Sequence, residues 1–284
     1  MTLIAITGAT GQLGRLIVEK LKAKVPAAEI VALVRTPAKA ADLGVAVREA
    51  DYNRQETLEA ALKGVETVLL VSSNELGKRA EQHRAVIEAA KKAGVRRVVY
   101  TSLLHADTTP IRVLADEHLA TENDVKASGL KYTILRNGWY TENYTASVPG
   151  AVKGGVFLGA AGEGKISSAT RADYAEAAAV VLAGAGYEDK VFELAGDVAY
   201  TLTDLAAEIS WQTGKAIPYK NLTEAEYAAA LEGFGLPTPV ARMYANFDTG
   251  AAQGGLFENG GQLAKLIGRA TTPLAVAVAA ALKA

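Results

Sequence analysis

Apolar residues open the chain as a short run at 3–7 and then return at helical spacing through Leu16, Ile17, Val18 and Leu21. The same alternation recurs along the first half. Runs rich in β-branched and apolar residues at 30–34, 46–49, 68–71, 98–101 and 132–135 read as strands, with helical patterns at 55–62, 79–93 and 118–127 between them. Gly64, Gly94 and Gly129 each follow a helical stretch, where a left-handed cap is wanted. Short strands apolar on both faces are those of a parallel sheet covered by helices on each side. The pattern therefore predicts a doubly wound α/β fold, with a ligand crevice at the carboxyl ends of the strands.

Beyond Gly138 the pattern loosens. Turns flank a short strand at 156–158, an alanine-rich helix runs over 171–183, a strand over 191–195, and helices over 202–213 and 224–231. The glycines within 251–261 read as a mobile loop, and the apolar stretch 274–282 as a packed helix. We expect residues 1–138 to form the nucleotide-binding core. Residues 139–284 then form mainly a smaller α/β substrate region, interwoven with that core.

Composition narrows the function. Of 284 residues, 50% are hydrophobic and the net charge is −1, with no long run of one sign. Nothing resembles a nucleic-acid footprint or a membrane-surface patch. The stretch 274–282 is far below the roughly 20 residues of a membrane span. There is no cysteine, which excludes disulfides, thiol catalysis and cysteine metal sites, and fits a cytoplasmic protein. Three scattered histidines without metal-binding spacing leave no metal site to expect. A homo-oligomer stays open.

Candidate chemistry begins at the first turn. Gly8-Ala9-Thr10-Gly11-Gln12-Leu13-Gly14 joins the first strand to the first helix, the arrangement that binds the pyrophosphate of a dinucleotide. Gly8 permits the tight turn, Gly11 the approach of backbone to phosphate, and Gly14 close packing of helix on strand. The second strand ends on Arg35, with Lys39 beyond, where NAD-binding domains carry an acidic residue. A guanidinium suits a 2′-phosphate, so the expected cofactor is NADPH. Asp51 and Tyr52, after the third strand, are placed to border an adenine. Ser72, Ser73 and Asn74, after the fourth, lie over the expected cofactor path.

The glycine motif, Arg35, Tyr100-Thr-Ser-Leu-Leu-His-Ala-Asp107, the segment YTILRNGWYTENY at 132–144, the motif ATRADY at 169–174 and LIGR with TPL near the end together resemble the NmrA-like atypical short-chain dehydrogenase/reductases. Within that family the resemblance is strongest to its bacterial NADPH-dependent quinone reductases, and it spans nearly the whole chain. It implies a Rossmann-type fold and hydride transfer from NADPH to a quinone. A related dye reductase shares the N-terminal half with a different aromatic lining.

The resemblance also frames the catalytic question. Short-chain reductases carry a proton-donating Tyr and a Lys four residues later. Here those positions fall on Leu114 and His118. A quinone suits a site without that tyrosine, because hydride addition yields a stabilised hydroquinone anion. His118 is then a candidate for holding the ribose or supplying a proton, and Ser102 for orienting the substrate. Asn137, Gly138, Tyr140 and Asn143 are candidates for backing the nicotinamide, the first two through backbone groups. Trp139, Tyr140 and Tyr144 would wall the quinone. Two other readings stand beside this one: a non-catalytic NADP(H) sensor, and a reductase of another activated acceptor such as an enone, a diketone or a triphenylmethane dye.

Overall fold

A computed structural model describes residues 3–283. The chain runs β1 (Ile4–Thr7), α1 (Gln12–Lys22), β2 (Ile30–Val34), β3 (Ala46–Glu49), α2 (Gln55–Ala61), β4 (Thr67–Leu70), α3 (Arg79–Lys92), β5 (Arg97–Leu103), α4 (Arg112–Ala127) and β6 (Lys131–Asn137). It continues through α5 (Thr141–Thr145), α6 (Val148–Gly154), β7 (Phe157–Gly159), α7 (Arg171–Ala183), β8 (Lys190–Leu194) and α8 (Leu202–Thr213). The last elements are β9 (Tyr219–Asn221), α9 (Glu224–Gly233), α10 (Thr238–Ala252), α11 (Gln262–Ile267) and α12 (Leu274–Ala281).

Seven strands form one parallel sheet in the order β3-β2-β1-β4-β5-β6-β8. All four residues of β1 are buried, because helices cover both faces. On one face α1, α7 and α11 pack over Ile4, Ile6, Leu69 and Leu135; on the other α2, α3 and α4 pack over Ala5, Val31, Val68 and Ile134. The strand order reverses between β1 and β4, and this switch point opens a crevice at their carboxyl ends.

The doubly wound α/β fold read from the pattern is present. β8 joins the sheet beside β6, and α7 lies against α1, so the late chain completes the first layer pair. A third apolar cluster lies beyond the sheet. It gathers Trp139, Tyr144, Phe157, Tyr200, Leu202 and Phe247 from α5, β7, α8, α10 and their neighbouring loops. Gly64, Gly94 and Gly129 all take left-handed φ angles of 73–79°.

Several expectations need correction. β5 and β6 run on to Leu103 and Asn137, because Ser102 and Arg136 are buried polar residues paired through Glu122 rather than strand-ending ones. Helix α4 begins six residues earlier than the pattern suggested, at Arg112. The segment 251–261 is pinned: Ser167 N donates to the Leu256 carbonyl at 2.9 Å, and Leu256 is buried. Among the described residues no helix is long and apolar enough to cross a membrane.

Candidate functional site

The glycine turn shows why its sequence is needed. Gly8 sits at φ +59°, and Gly11 N returns to the Gly8 carbonyl at 2.9 Å. A Cβ on Gly14 would lie 2.2 Å from that carbonyl, so only glycine lets α1 approach this closely. No side chain caps α1 and its first turn holds no acid. Its leading amides and positive dipole end therefore face the crevice as donors for an anion.

The crevice is a cleft of about 500 Å³. Of the residues singled out from the sequence, it brings together Gly8, Thr10, Gly11, Gln12, Leu13, Arg35, Asp51, Ser72, Ser73, Asn74 and Tyr140. Arg35 marks one end, largely exposed, its guanidinium 3.2 Å from Glu75. Tyr52 lines the cleft with its hydroxyl tied to Thr7 Oγ1 at 2.5 Å and the Val71 carbonyl at 3.1 Å. Half-buried Tyr140 also borders the cleft, with the Arg171 guanidinium 4.6 Å above its ring. Burial raises its phenol above the usual range.

Arg79 escaped the sequence reading. It begins α3 and there looks like a solvated helix start, yet its side chain is buried in the cleft wall. Its Nε donates to the Ser73 carbonyl at 2.7 Å, while Nη1 is buried without a hydrogen-bond partner. Glu117 Oε2, 3.9 Å away, is equally unpartnered. An orphaned guanidinium nitrogen beside uncapped helix amides fits a phosphate-rich ligand. The one sequence signal was its position just past the fourth strand's loop.

Other predicted residues lie elsewhere. Ser102 does not face the cleft: its hydroxyl donates to buried Glu122 at 2.7 Å, on the α4 side of the sheet, which corrects the substrate-orienting role. His118 does not line the cleft either. It is buried against Tyr100, its Nδ1 2.6 Å from the phenol oxygen. Burial first, then the charges of Arg79 and His83, hold it well below the usual histidine range. Of the backbone groups of Asn137 and Gly138, the Asn137 carbonyl accepts from Leu104 N at 3.0 Å and Gly138 N donates to the Leu194 carbonyl at 2.7 Å. Ala9 is fully buried in the turn.

Asn143, Trp139 and Tyr144 line a second, smaller gap of about 20 Å³ with Ser147, Phe157, Tyr227, Tyr244, Phe247 and Asp248. Trp139 stacks edge-on against Phe247 with ring centroids 5.0 Å apart. The segment 139–144 thus walls both spaces, Tyr140 on the cleft and its neighbours on the gap. Arg171 ties them by donating to Asn143 Oδ1 at 2.8 Å. No cluster of potential metal ligands occurs among the described residues.

A family model described as NAD(P)H-binding matches residues 8–184. The chain is 60% identical over 279 residues to quinone oxidoreductase 2 of Escherichia coli (strain K12), covering 97% of each. The crystal structure of the Escherichia coli NADPH-dependent quinone oxidoreductase complexed with NADPH has a TM-score of 0.96 at 58% identity. It covers 99% of this chain and 100% of that one. The Citrobacter sp. triphenylmethane reductase complexed with NADP(H) has a TM-score of 0.95 at 37% identity, over 98% and 99% of the two chains. An NmrA-like family domain-containing oxidoreductase of Aspergillus flavus is 30% identical, covering 94% of this chain and 91% of that protein.

Proposed function

The chain belongs to the NAD(P)H-binding family, among its NmrA-like oxidoreductases, and from that premise we propose that it reduces quinones by two electrons with NADPH. The observation that carries this reading is the continuous wall 139–144, which joins a dinucleotide-sized cleft to an aromatic gap. The similarity to the Escherichia coli quinone oxidoreductase supports it.

When bound, NADPH supplies a hydride. The protein's residues bind and orient it. The α1 amides and residues 8–13 hold the pyrophosphate. Arg35 takes the 2′-phosphate, leaving Glu75 to do so. Asp51 and Tyr52 border the adenine, and residues 72–74 support the middle of the cofactor. Arg79 offers its unpartnered Nη1 to the phosphates, Tyr140 bounds the nicotinamide end, and Trp139, Asn143 and Tyr144 receive the acceptor. Holding the nicotinamide against the acceptor would be catalysis by proximity and orientation. The register that the resemblance implies puts Leu114 and His118 where short-chain reductases carry the Tyr–Lys pair, which suits an acceptor whose reduced form is already a stabilised anion. A chain free of cysteine suits a cytoplasmic setting.

The test is the absorbance of reduced nicotinamide with and without p-benzoquinone, corrected for the uncatalysed reaction. A saturable, enzyme-dependent rate that is poor with NADH is expected. Tight NADPH binding without turnover on any quinone, dye or enone would favour a sensor instead.

A further inference from the structure

Asp248 lies on α10 beside the aromatic gap and is only 3% exposed. No lysine, arginine or histidine among the described residues pairs with it. Its Oδ1 accepts from the Tyr144 hydroxyl at 3.0 Å, and its Oδ2 from Ala160 N at 2.8 Å. The groups facing it are phenols: Tyr144 of α5, Tyr219 of β9, Tyr227 of α9, and Tyr244 of its own helix. The fold holds this carboxyl firmly, for a Cβ on Gly159 would lie 2.8 Å from Oδ2. Across the same gap stands Trp139, whose indole N–H is buried with no hydrogen-bond partner. A buried donor left unmade is costly unless a ligand uses it.

We propose that this gap is the acceptor-oxygen site, where Trp139 Nε1 donates to the quinone oxygen and Tyr144, recharged by Asp248, protonates the oxyanion that hydride transfer creates. The proposal rests on the quinone-reductase reading and supplies the proton source it lacks. The hydride carries two electrons from NADPH to the quinone, leaving a hydroquinone anion. The Tyr144 O–H bond breaks as a new O–H bond forms on that anion. The Asp248 carboxyl proton then restores the phenol, and water reprotonates the carboxylate. Tyr144 is the catalytic residue and Asp248 a positioning residue acting through it.

The environment fits these roles. Burial lifts the Asp248 carboxyl to about 6, so it carries a proton in mildly acidic conditions. Tyr144 is pushed far above the usual phenol range, by burial first and the Asp248 charge next. The 3.0 Å contact between the Tyr144 hydroxyl and Asp248 Oδ1 gives a protonated carboxyl a direct path to the phenol oxygen. The gap of about 20 Å³ has room for one water. An entering ring must displace a wall residue; Ser147 and Tyr244, the latter 38% exposed, are the two open to solvent, and Tyr244 is the aromatic one.

The experiment is the pH profile of kcat with p-benzoquinone for wild type, Asp248→Asn and Tyr144→Phe, with NADPH affinity measured separately. Wild-type kcat is expected to fall as pH rises above about 6. Asp248→Asn should lose that limb, and Tyr144→Phe should lower kcat about a hundredfold at unchanged NADPH affinity. In cofactor-free protein, Trp139 fluorescence should titrate with Asp248 in wild type and stay flat in Asp248→Asn. An unchanged pH limb in Asp248→Asn, or full kcat in Tyr144→Phe, overturns this assignment and leaves the quinone-reductase reading standing. Tyr144→Phe, which deletes only a hydroxyl, decides the matter if Asp248→Asn misfolds. Absence of quinone turnover in the wild type overturns both.

Discussion

Arg35 and His83 show two ways a single side chain bears on this protein. At Arg35 a cation stands where strand ends of this kind carry an acidic residue, and the proposed 2′-phosphate contact rests on that replacement. With the guanidinium removed, the 2′-phosphate loses its counter-charge but the rest of the cofactor does not. Arg35→Ala is expected to weaken NADPH binding by one to two orders of magnitude, about 1.4–3 kcal/mol, and to leave NADH nearly unaffected; equal losses in a titration would refute the assignment. Arg79 and Asp248 were not legible. Each looks like an ordinary helix polar residue, and only tertiary packing buries it. His83 is fully buried, accepting from Ser73 N at 2.9 Å and meeting Thr121 Oγ1 at 2.9 Å. Burial, then the Arg79 charge, lower it to about 3. Between that value and the unfolded value near 6.5 the unfolded chain binds more protons, so stability rises with pH across this window. Acidification from pH 6.5 toward 3 should therefore cost on the order of 3–5 kcal/mol from this residue. Asp248 runs the other way between 3.8 and about 6, where the folded state holds the extra proton. Urea midpoints measured against pH should show the acid loss, and His83→Gln should flatten it.

At the scale of elements, what was readable was what repeats. Strands β2 and β3 and helices α7 and α8 have the bounds that their apolar pattern gave. Helix α10 was not read from the sequence; Pro237 and Pro239 sit at its cap and first turn, where proline is tolerated, but Gly250 inside it argues locally against a helix. Gly250 is there for space, since a Cβ would meet Ile111 Cγ1 at 2.4 Å. Strand β7 lies one residue beyond the short strand read at 156–158, whereas β9, three residues long and polar in part, carried no pattern; the two pair with one another. The first βα unit was fully legible, and it yields the sharpest element-level test. Gly14→Ala forces a methyl against the Gly8 carbonyl. We expect α1 to shift, a stability loss of about 1–3 kcal/mol, and NADPH affinity to fall more than stability does. Unchanged affinity in a folded variant would mean that the turn does not set the cofactor's position.

Across the whole molecule, the sheet is held to its flanks by a buried ion cluster that no local pattern announces. Arg136 on β6 pairs with Glu122 of α4 at 2.8 Å, with Glu193 of β8 at 2.8 Å and with Asp107 at 3.1 Å. Its partners hold it above its usual range, the Glu122 hydrogen bond first. Arg136→Met would strand the Glu122 carboxylate in the interior, with a predicted cost of about 3–5 kcal/mol in denaturant unfolding; a loss below 1 kcal/mol would show that Lys126 and the Ser102 hydroxyl together satisfy Glu122. The late chain closes on the early one again at Asp173 of α7. Its carboxylate receives Thr272 N at 3.0 Å, the Thr272 hydroxyl at 3.1 Å and Arg269 at 2.8 Å. This clasp sets a schedule for biosynthesis. When Leu194 leaves the ribosome every strand of the large sheet has been made, yet Thr272 lies 78 residues further on (272 − 194). At roughly 5–20 residues per second that is about 4–16 s, during which the nascent sheet waits for Arg269 and Thr272, the late partners of Asp173, to emerge.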